Sequence, residues 1–189
     1  INYSSGSSIA GDFTWETWVY DTVATAYGTP MAWRNGSGAG WTGFIVQRNN
    51  GGNNLIVSIN QSGGLTLTQT SGTYAGNVWN HVALVRSGSN VNLYVNGVAA
   101  GSGTYSGTFD PGSSYWIGSD PYNNVAGVQL QGYISNQRFI NGTAIYTGSP
   151  IAVPNAPVQV TSNTHILTSR SNRLIDEGVR NYAVTKNGD

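Results

Sequence analysis

The sequence predicts an all-β fold, a two-sheet antiparallel sandwich of the jelly-roll kind, on three observations. Short runs of alternating residues recur about every 8 to 12 positions, divided by clusters of Gly, Asn, Ser, Asp and Pro. No stretch sustains the 3.6-residue period of a helix. The segment 77–100, NVWNHVALVRSGSNVNLYVNGVAA, contains three such runs joined by Ser87-Gly88-Ser89-Asn90 and by Asn96-Gly97. Asn-Gly supplies the two positive-φ positions of a tight type I′ reversal, so three antiparallel strands are expected there.

In chain order, a strand is expected at Ile1 to Tyr3, where the chain begins without a Met; the expectation is a processed protein or a domain excised from a longer chain. Phe13 to Tyr20 alternates Phe13, Trp15, Thr17 and Val19 with Thr14, Glu16, Trp18 and Tyr20. Aromatic residues on both faces mark a strand packed between two layers. Met31 to Arg34 is a short strand before the glycine-rich loop 35–40. Phe44 to Arg48, Leu55 to Asn60 and Leu65 to Thr70 form a meander across Asn49-Asn50-Gly51-Gly52 and Ser62-Gly63-Gly64. After the three-stranded segment come a polar excursion, Gly101 to Ser114, a short strand, Tyr115 to Gly118, and a turn at Asp120 to Asn124.

Alternation resumes from Val128 to Ile140, with Leu130, Gly132, Ile134, Asn136 and Arg138 of one parity. Pro150, Pro154 and Pro157 mark an extended segment. Ile166 to Thr168 and a final strand, Tyr182 to Asn187, close the chain. A single domain over 1–189 is expected, with about 160–189 as an extension that returns to the sandwich; a domain of this size buries roughly 70 % of its unfolded surface.

Only 8 % of the residues are charged, and eight basic side chains balance eight acidic ones. With Lys186 as the single lysine there is no basic field for phosphate backbones, so nucleic acid is a poor partner. There is no cysteine, which removes thiolate catalysis and thiolate metal sites. No apolar run approaches the ~20 residues of a membrane-spanning helix, and membrane insertion is not expected.

Trp79-Asn80-His81-Val82-Ala83-Leu84-Val85-Arg86, followed by Leu93-Tyr94-Val95-Asn96-Gly97, resembles the signature of the concanavalin A-like superfamily in its laminin-G-like, pentraxin-like branch. Leu130 to Phe139, LQGYISNQRF, is similar to that branch's F-x-G-x-I-x-x-V-R strand. Asn141 to Tyr146, the proline segment, and Asn163 to Thr168 through Asn187-Gly188-Asp189 resemble the version of the domain found in large structural proteins of marine bacteriophages. The resemblance implies a curved two-sheet jelly roll with neighbouring termini, on a virion surface or otherwise extracellular.

Glycan-hydrolysing members of the superfamily resemble one another in a strand bearing Glu-x-Asp-x-x-Glu. An acid and a nucleophile must flank one bond, ~5 to 5.5 Å apart for retention and ~6.5 to 9.5 Å for inversion. Here Asp12 and Glu16 share a face but lie about 13 Å apart along a strand. Asp176 and Glu177 are adjacent and point to opposite faces if extended. No catalytic residue is therefore assigned.

Relatives in this branch often bind calcium, and Asp110 and Asp120 are the candidate ligands, with Asn123 and Asn124 near them. Each aspartate also precedes a proline and suits a turn initiator. The strand that often carries an acid in relatives has Ser135 and Asn136 instead. No other cofactor is expected. His81 and His165 lack the nucleophile and orienting acid of a triad and read as structural.

Sugars present apolar faces and rings of hydroxyls, so a site needs an aromatic platform with amide or hydroxyl neighbours. Trp41, Tyr105 and Tyr122, the last beside Asn123 and Asn124, are the aromatic residues least explained by packing; Trp15, Trp79 and Trp116 are expected in the core. The sequence therefore leads to a non-catalytic surface module that binds glycan or adheres through its loops. The alternative is a structural domain of a capsid, fibre or tail that contacts other copies or neighbouring virion proteins, and a glycoside hydrolase is the third class.

Overall fold

A computed structural model describes residues 8–22, 27–49, 52–60, 62–108, 110–123, 128–171 and 173–186. The expected strand at Ile1 to Tyr3, together with Asn124 and Asn187, lies outside them. Among the described residues eleven strands form: β1 (Phe13–Asp21), β2 (Met31–Asn35), β3 (Thr42–Arg48), β4 (Leu55–Ile59), β5 (Leu65–Thr68), β6 (Trp79–Ser87), β7 (Asn90–Val95), β8 (Val98–Thr104), β9 (Trp116–Ile117), β10 (Gly132–Asn141) and β11 (Thr164–Thr168). They make a six-stranded sheet, β11-β10-β1-β6-β7-β8, and a five-stranded sheet, β5-β4-β3-β2-β9, antiparallel throughout. This is the expected jelly-roll sandwich. Among the described residues no helix is long and apolar enough to cross a membrane.

Alternation decides which side chains meet between the sheets. Phe13, Trp15 and Val19 of β1, Val82 and Leu84 of β6, and Val91, Leu93 and Val95 of β7 enter one core with Trp33, Phe44, Val46 and Val57 of the opposite sheet. Phe13 stacks on Phe44 at 5.5 Å, and Trp33 meets Phe139 edge-on at 4.9 Å. The indole N–H of buried Trp15 donates to the Tyr115 hydroxyl at 2.8 Å, so this deep donor is not orphaned. The Asn96-Gly97 reversal has the anticipated positive φ values, 50° and 84°.

Three local expectations are corrected. The polar excursion begins later than Gly101, because β8 continues to Thr104. Residues 182–186 form no strand. The third correction concerns Arg138. Strict alternation puts it on the face of Ile134, but the β1–β10 register shifts between Glu16 and Trp18: two steps along β1 match three along β10, from Ser135 to Arg138. The extra residue is a bulge, with Asn136 at φ 53°. Ile134 and Phe139 therefore align with the core residues Val19 and Trp15, while Arg138 aligns with Glu16 on the outer face.

Candidate functional site

The outer face of the six-stranded sheet is only partly covered. Residues 143–160 cross it, tied down at each end. At one side Ile151 N–H donates to Gly97 O at 2.8 Å, and Ser149 Oγ accepts from Ala99 N–H at 3.2 Å. At the other, Val158 N–H donates to Asn136 Oδ1 at 3.1 Å and Gln159 O accepts from Arg138 Nη1 at 2.8 Å. Ile151 packs on Ala83, Val85 and Tyr94, forming a second apolar cluster with Ala144 and Tyr146 at its margin. The prolines suit this path because an extended strap needs no ladder donors at those positions.

Beneath the strap lies a polar cluster centred on Glu16. Its Oε1 accepts from Nε of Arg138 at 2.8 Å and also from Arg138 Nη2, while Oε2 meets His81 Nε2 at 3.1 Å and accepts from the Tyr146 hydroxyl at 2.8 Å. Burial alone raises a carboxyl pKa, but the His81 hydrogen bond, the Arg138 charge and the Tyr146 hydroxyl together hold Glu16 below its ordinary value. Burial and the Glu16 charge push the Tyr146 phenol upward. All four lone-pair directions of the carboxylate are directed at protein groups, and Glu16 and His81 are buried. The cluster fastens the strap and offers no open acid or base.

Past the edge of the strap the face opens. Trp18, Ser135 and Asn136 form the floor of a shallow groove of about 640 Å³; residues 153–157 form one wall and Trp79 the rim. Trp18 is fixed against the His81 ring, with centroids 5.4 Å apart. One register step further, Trp79 of β6, Tyr20 of β1 and Tyr133 of β10 stand side by side across three adjacent strands. Tyr20 meets Trp79 at 5.7 Å and Tyr133 at 5.9 Å, both edge-on. Trp79 is 46 % exposed and Tyr133 65 %. Adjacent exposed aromatic side chains on the same face make an apolar patch that core packing does not explain. The Asn155 carboxamide, exposed in the wall, makes no hydrogen bond to a described residue.

The loop residues singled out by sequence are placed differently. Trp41 is only 6 % exposed and packs with Ala32, Ile45 and Trp116 on the outer face of the five-stranded sheet. The Arg34 guanidinium lies 5.3 Å from the Trp41 ring and 5.2 Å from that of Tyr122, which is 45 % exposed. Asp120 completes this arrangement with two hydrogen bonds from Arg34, at 2.9 and 2.7 Å. Asn123 donates its backbone N–H to Asp120 O at 3.3 Å. Trp41, Tyr122 and Asp120 are thus brought together around Arg34, with Asn123 bonded to the backbone of Asp120.

Tyr105 stands apart from them, 9 % exposed at the core margin, with Asn60 Nδ2 donating to its hydroxyl at 2.6 Å. Asp110 Oδ1 accepts from Gly112 N–H at 3.0 Å, the bond of a turn initiator. Asp120 is thus taken up by Arg34 and Asp110 by its own turn, and among the described residues no three acidic, histidine or cysteine side chains gather as a metal site. Trp79, expected in the core, is instead the exposed rim of the groove. Its parity was the available signal, since it shares the face of His81, Ala83 and Val85 rather than that of Val82 and Leu84.

Comparison with known proteins agrees with this architecture. No curated protein sequence matches the chain. Among solved structures, a carbohydrate-binding protein candidate from Bacteroides ovatus is 17 % identical with a TM-score of 0.65, over 93 % of this chain and 51 % of that one. Domains LG4-5 of the mouse laminin α1 chain are 13 % identical with a TM-score of 0.54, over 78 % of this chain and 44 % of theirs. The CBM40 module of a Ruminococcus gnavus sialidase, bound to α2,3-sialyllactose, is 13 % identical with a TM-score of 0.53, over 70 % of this chain and 83 % of its own. This chain therefore spans about half the length of the Bacteroides protein and less of the laminin pair, and the likeness is one of fold. The sequence model of the concanavalin A-like lectin/glucanases superfamily, in its laminin-G form, matches residues 2–145. With most of its length inside that match and two antiparallel sheets of the corresponding form, the chain belongs to the concanavalin A-like superfamily.

Proposed function

We propose that this domain is a non-catalytic carbohydrate-binding module whose site is the outer face of the six-stranded sheet, at the Trp18–Trp79 groove and the Trp79–Tyr20–Tyr133 row. The observation that carries the reading is the solvent-open aromatic row beside a groove whose polar members are hydroxyl and amide groups. Aromatic faces cover the apolar faces of sugar rings, and Asn155 is placed to meet hydroxyls, whereas Ser135 Oγ donates to Ser169 O and accepts from Asn136 Nδ2, and Asn136 Oδ1 accepts from Val158 N–H. The description of the Bacteroides neighbour and the sialyllactose bound to the Ruminococcus module support the same class of ligand.

Glu16 supports the non-catalytic half of the reading, because its oxygens are engaged and it lies under the strap. The setting is an extracellular or virion surface, on the resemblance of residues 141–189 to phage structural domains. There, many copies raise avidity by on the order of 10² to 10⁴ where geometry lets them engage together. The Tyr122–Asn123 rim, beside Arg34 and Trp41 on the outer face of the five-stranded sheet, lies on the opposite side of the sandwich and is a separate, smaller contact.

The test is a glycan array probed with the domain in multivalent form, beside Trp79→Ala and Tyr133→Ala. The reading expects signal on a defined subset of glycans, lost in both variants, and no new reducing ends when those glycans are incubated with the protein. An array without signal, with copies of the domain instead associating through the aromatic row, would favour a structural assembly role.

A further inference from the structure

We infer that the groove accepts uncharged stretches of glycan and selects against acidic sugars. This rests on the glycan-binding reading above and adds its ligand class. Every described residue lining the groove is uncharged, from Trp18, Ser135 and Asn136 on the floor to Trp79 at the rim and residues 153–157 in the wall.

The cations of the sandwich are engaged elsewhere. Arg138 is bound to Glu16 and to Gln159 O, Arg34 to Asp120, and Arg48 to Asp21. Arg86 donates to the carbonyls of Gly88 and Gly107. Arg170 pairs with Glu177 in the segment after β11, where Arg173, Arg180 and Lys186 also lie, and none of these lines the groove.

A uronate or sialate carboxylate entering this groove would exchange water for indole and proline surface with no cation to receive it, which is unfavourable. A neutral sugar meets no such penalty. Its hydroxyls both donate and accept, as does the Asn155 carboxamide, and its apolar face lies on Trp79 or Trp18. The sialyllactose-bound Ruminococcus module shares the fold at 13 % identity. Selectivity belongs to the groove residues of each chain rather than to the shared fold.

The experiment is calorimetric titration of the full chain with cellohexaose, mannohexaose and xylohexaose as neutral probes, and with hexagalacturonate and sialyllactose as acidic ones. At least one neutral probe is expected to bind, with affinity changing less than about twofold between about 50 and about 500 mM NaCl. The acidic probes are expected to bind at least about tenfold more weakly. Asn155→Lys places a cation in the wall and is expected to strengthen hexagalacturonate binding by about tenfold at low salt, with the gain fading as salt rises.

An acidic probe bound as tightly as the neutral ones, and lost in Trp79→Ala, overturns the inference while leaving the glycan site in place. No binding of any probe, or binding indifferent to Trp79→Ala, removes the site itself and the inference with it.

Discussion

Arg138 donates to Glu16 through both Nε and Nη2 across the β1–β10 ladder, a pairing that exists because β10 carries one extra residue opposite Thr17. Without the bulge Arg138 would lie on the core face. With it, the sheet gains a buried ion pair under the strap. Glu16→Gln leaves the Arg138 charge without its partner and is expected to destabilise the fold by about 3–5 kcal/mol, measured by denaturant unfolding. Replacing Glu16 and Arg138 together with Met should cost less than Glu16→Gln alone, because no charge is then left unpaired.

The same pair sets a pH dependence. Glu16 is held below its ordinary value of 4.5, so its contribution is complete above that pH and is lost as the pH falls through the lower folded-state value. Unfolding midpoints measured downward from pH 6 are expected to drop below about pH 4.5 in the native chain, and that component of the slope should be absent in Glu16→Gln.

Asp176 fastens the segment after β11. Its Oδ1 accepts from Leu167 N–H at 2.8 Å and Gly178 N–H at 2.9 Å, and its Oδ2 from Tyr182 N–H at 2.9 Å. Asp176→Ala strands three backbone donors and is expected to cost about 3 kcal/mol. Limited proteolysis should then cut within 173–186 under conditions that leave the native chain whole.

Gly43 stands at φ 114°, and a Cβ there would lie 2.2 Å from Trp33 O and 2.7 Å from Arg34 Cα. Both obstacles are backbone of the neighbouring strand β2, which cannot turn aside as a side chain can. Gly43→Ala is expected to cost at least about 2 kcal/mol and to lower the thermal midpoint accordingly.

Trp79→Ala and Tyr133→Ala carry the opposite expectation. Each side chain is substantially exposed and touches Tyr20 only edge-on. Stability should change by no more than about 1–1.5 kcal/mol, while glycan binding falls by more than about tenfold. Chelation by EDTA is expected to leave binding unchanged, since Asp120 is paired with Arg34 and no described residue lining the groove carries a carboxylate.

Much of the sandwich was legible because strand parity reports directly which face of the sheet a side chain takes. FTWETWVY separates Phe13, Trp15 and Val19 from Glu16, Trp18 and Tyr20, and the structure keeps both sets on the faces their parity gives. Parity fails where the ladder slips. Nothing in QGYISNQRF announces that Asn136 takes a left-handed conformation, and so Arg138 was misplaced.

The site was harder to read because exposure depends on what covers a face. Trp18, Trp79 and Tyr133 share their face with Glu16, His81 and Arg138. The strap buries the second group and stops short of the first, and that boundary is a matter of tertiary path. Loop position likewise misled at Trp41 and Tyr105, whose rings turn inward onto Ala32 and Ile45 and onto the core.

The most direct test of the central claim is a titration of the ¹⁵N-labelled protein with the best-binding neutral hexasaccharide, followed at the indole N–H signals. The account predicts that the Trp79 and Trp18 signals move in step with saturation while those of the buried Trp15 and Trp33 stay in place. Saturation with the Trp79 and Trp18 signals unmoved, and shifts confined to other residues, would contradict it.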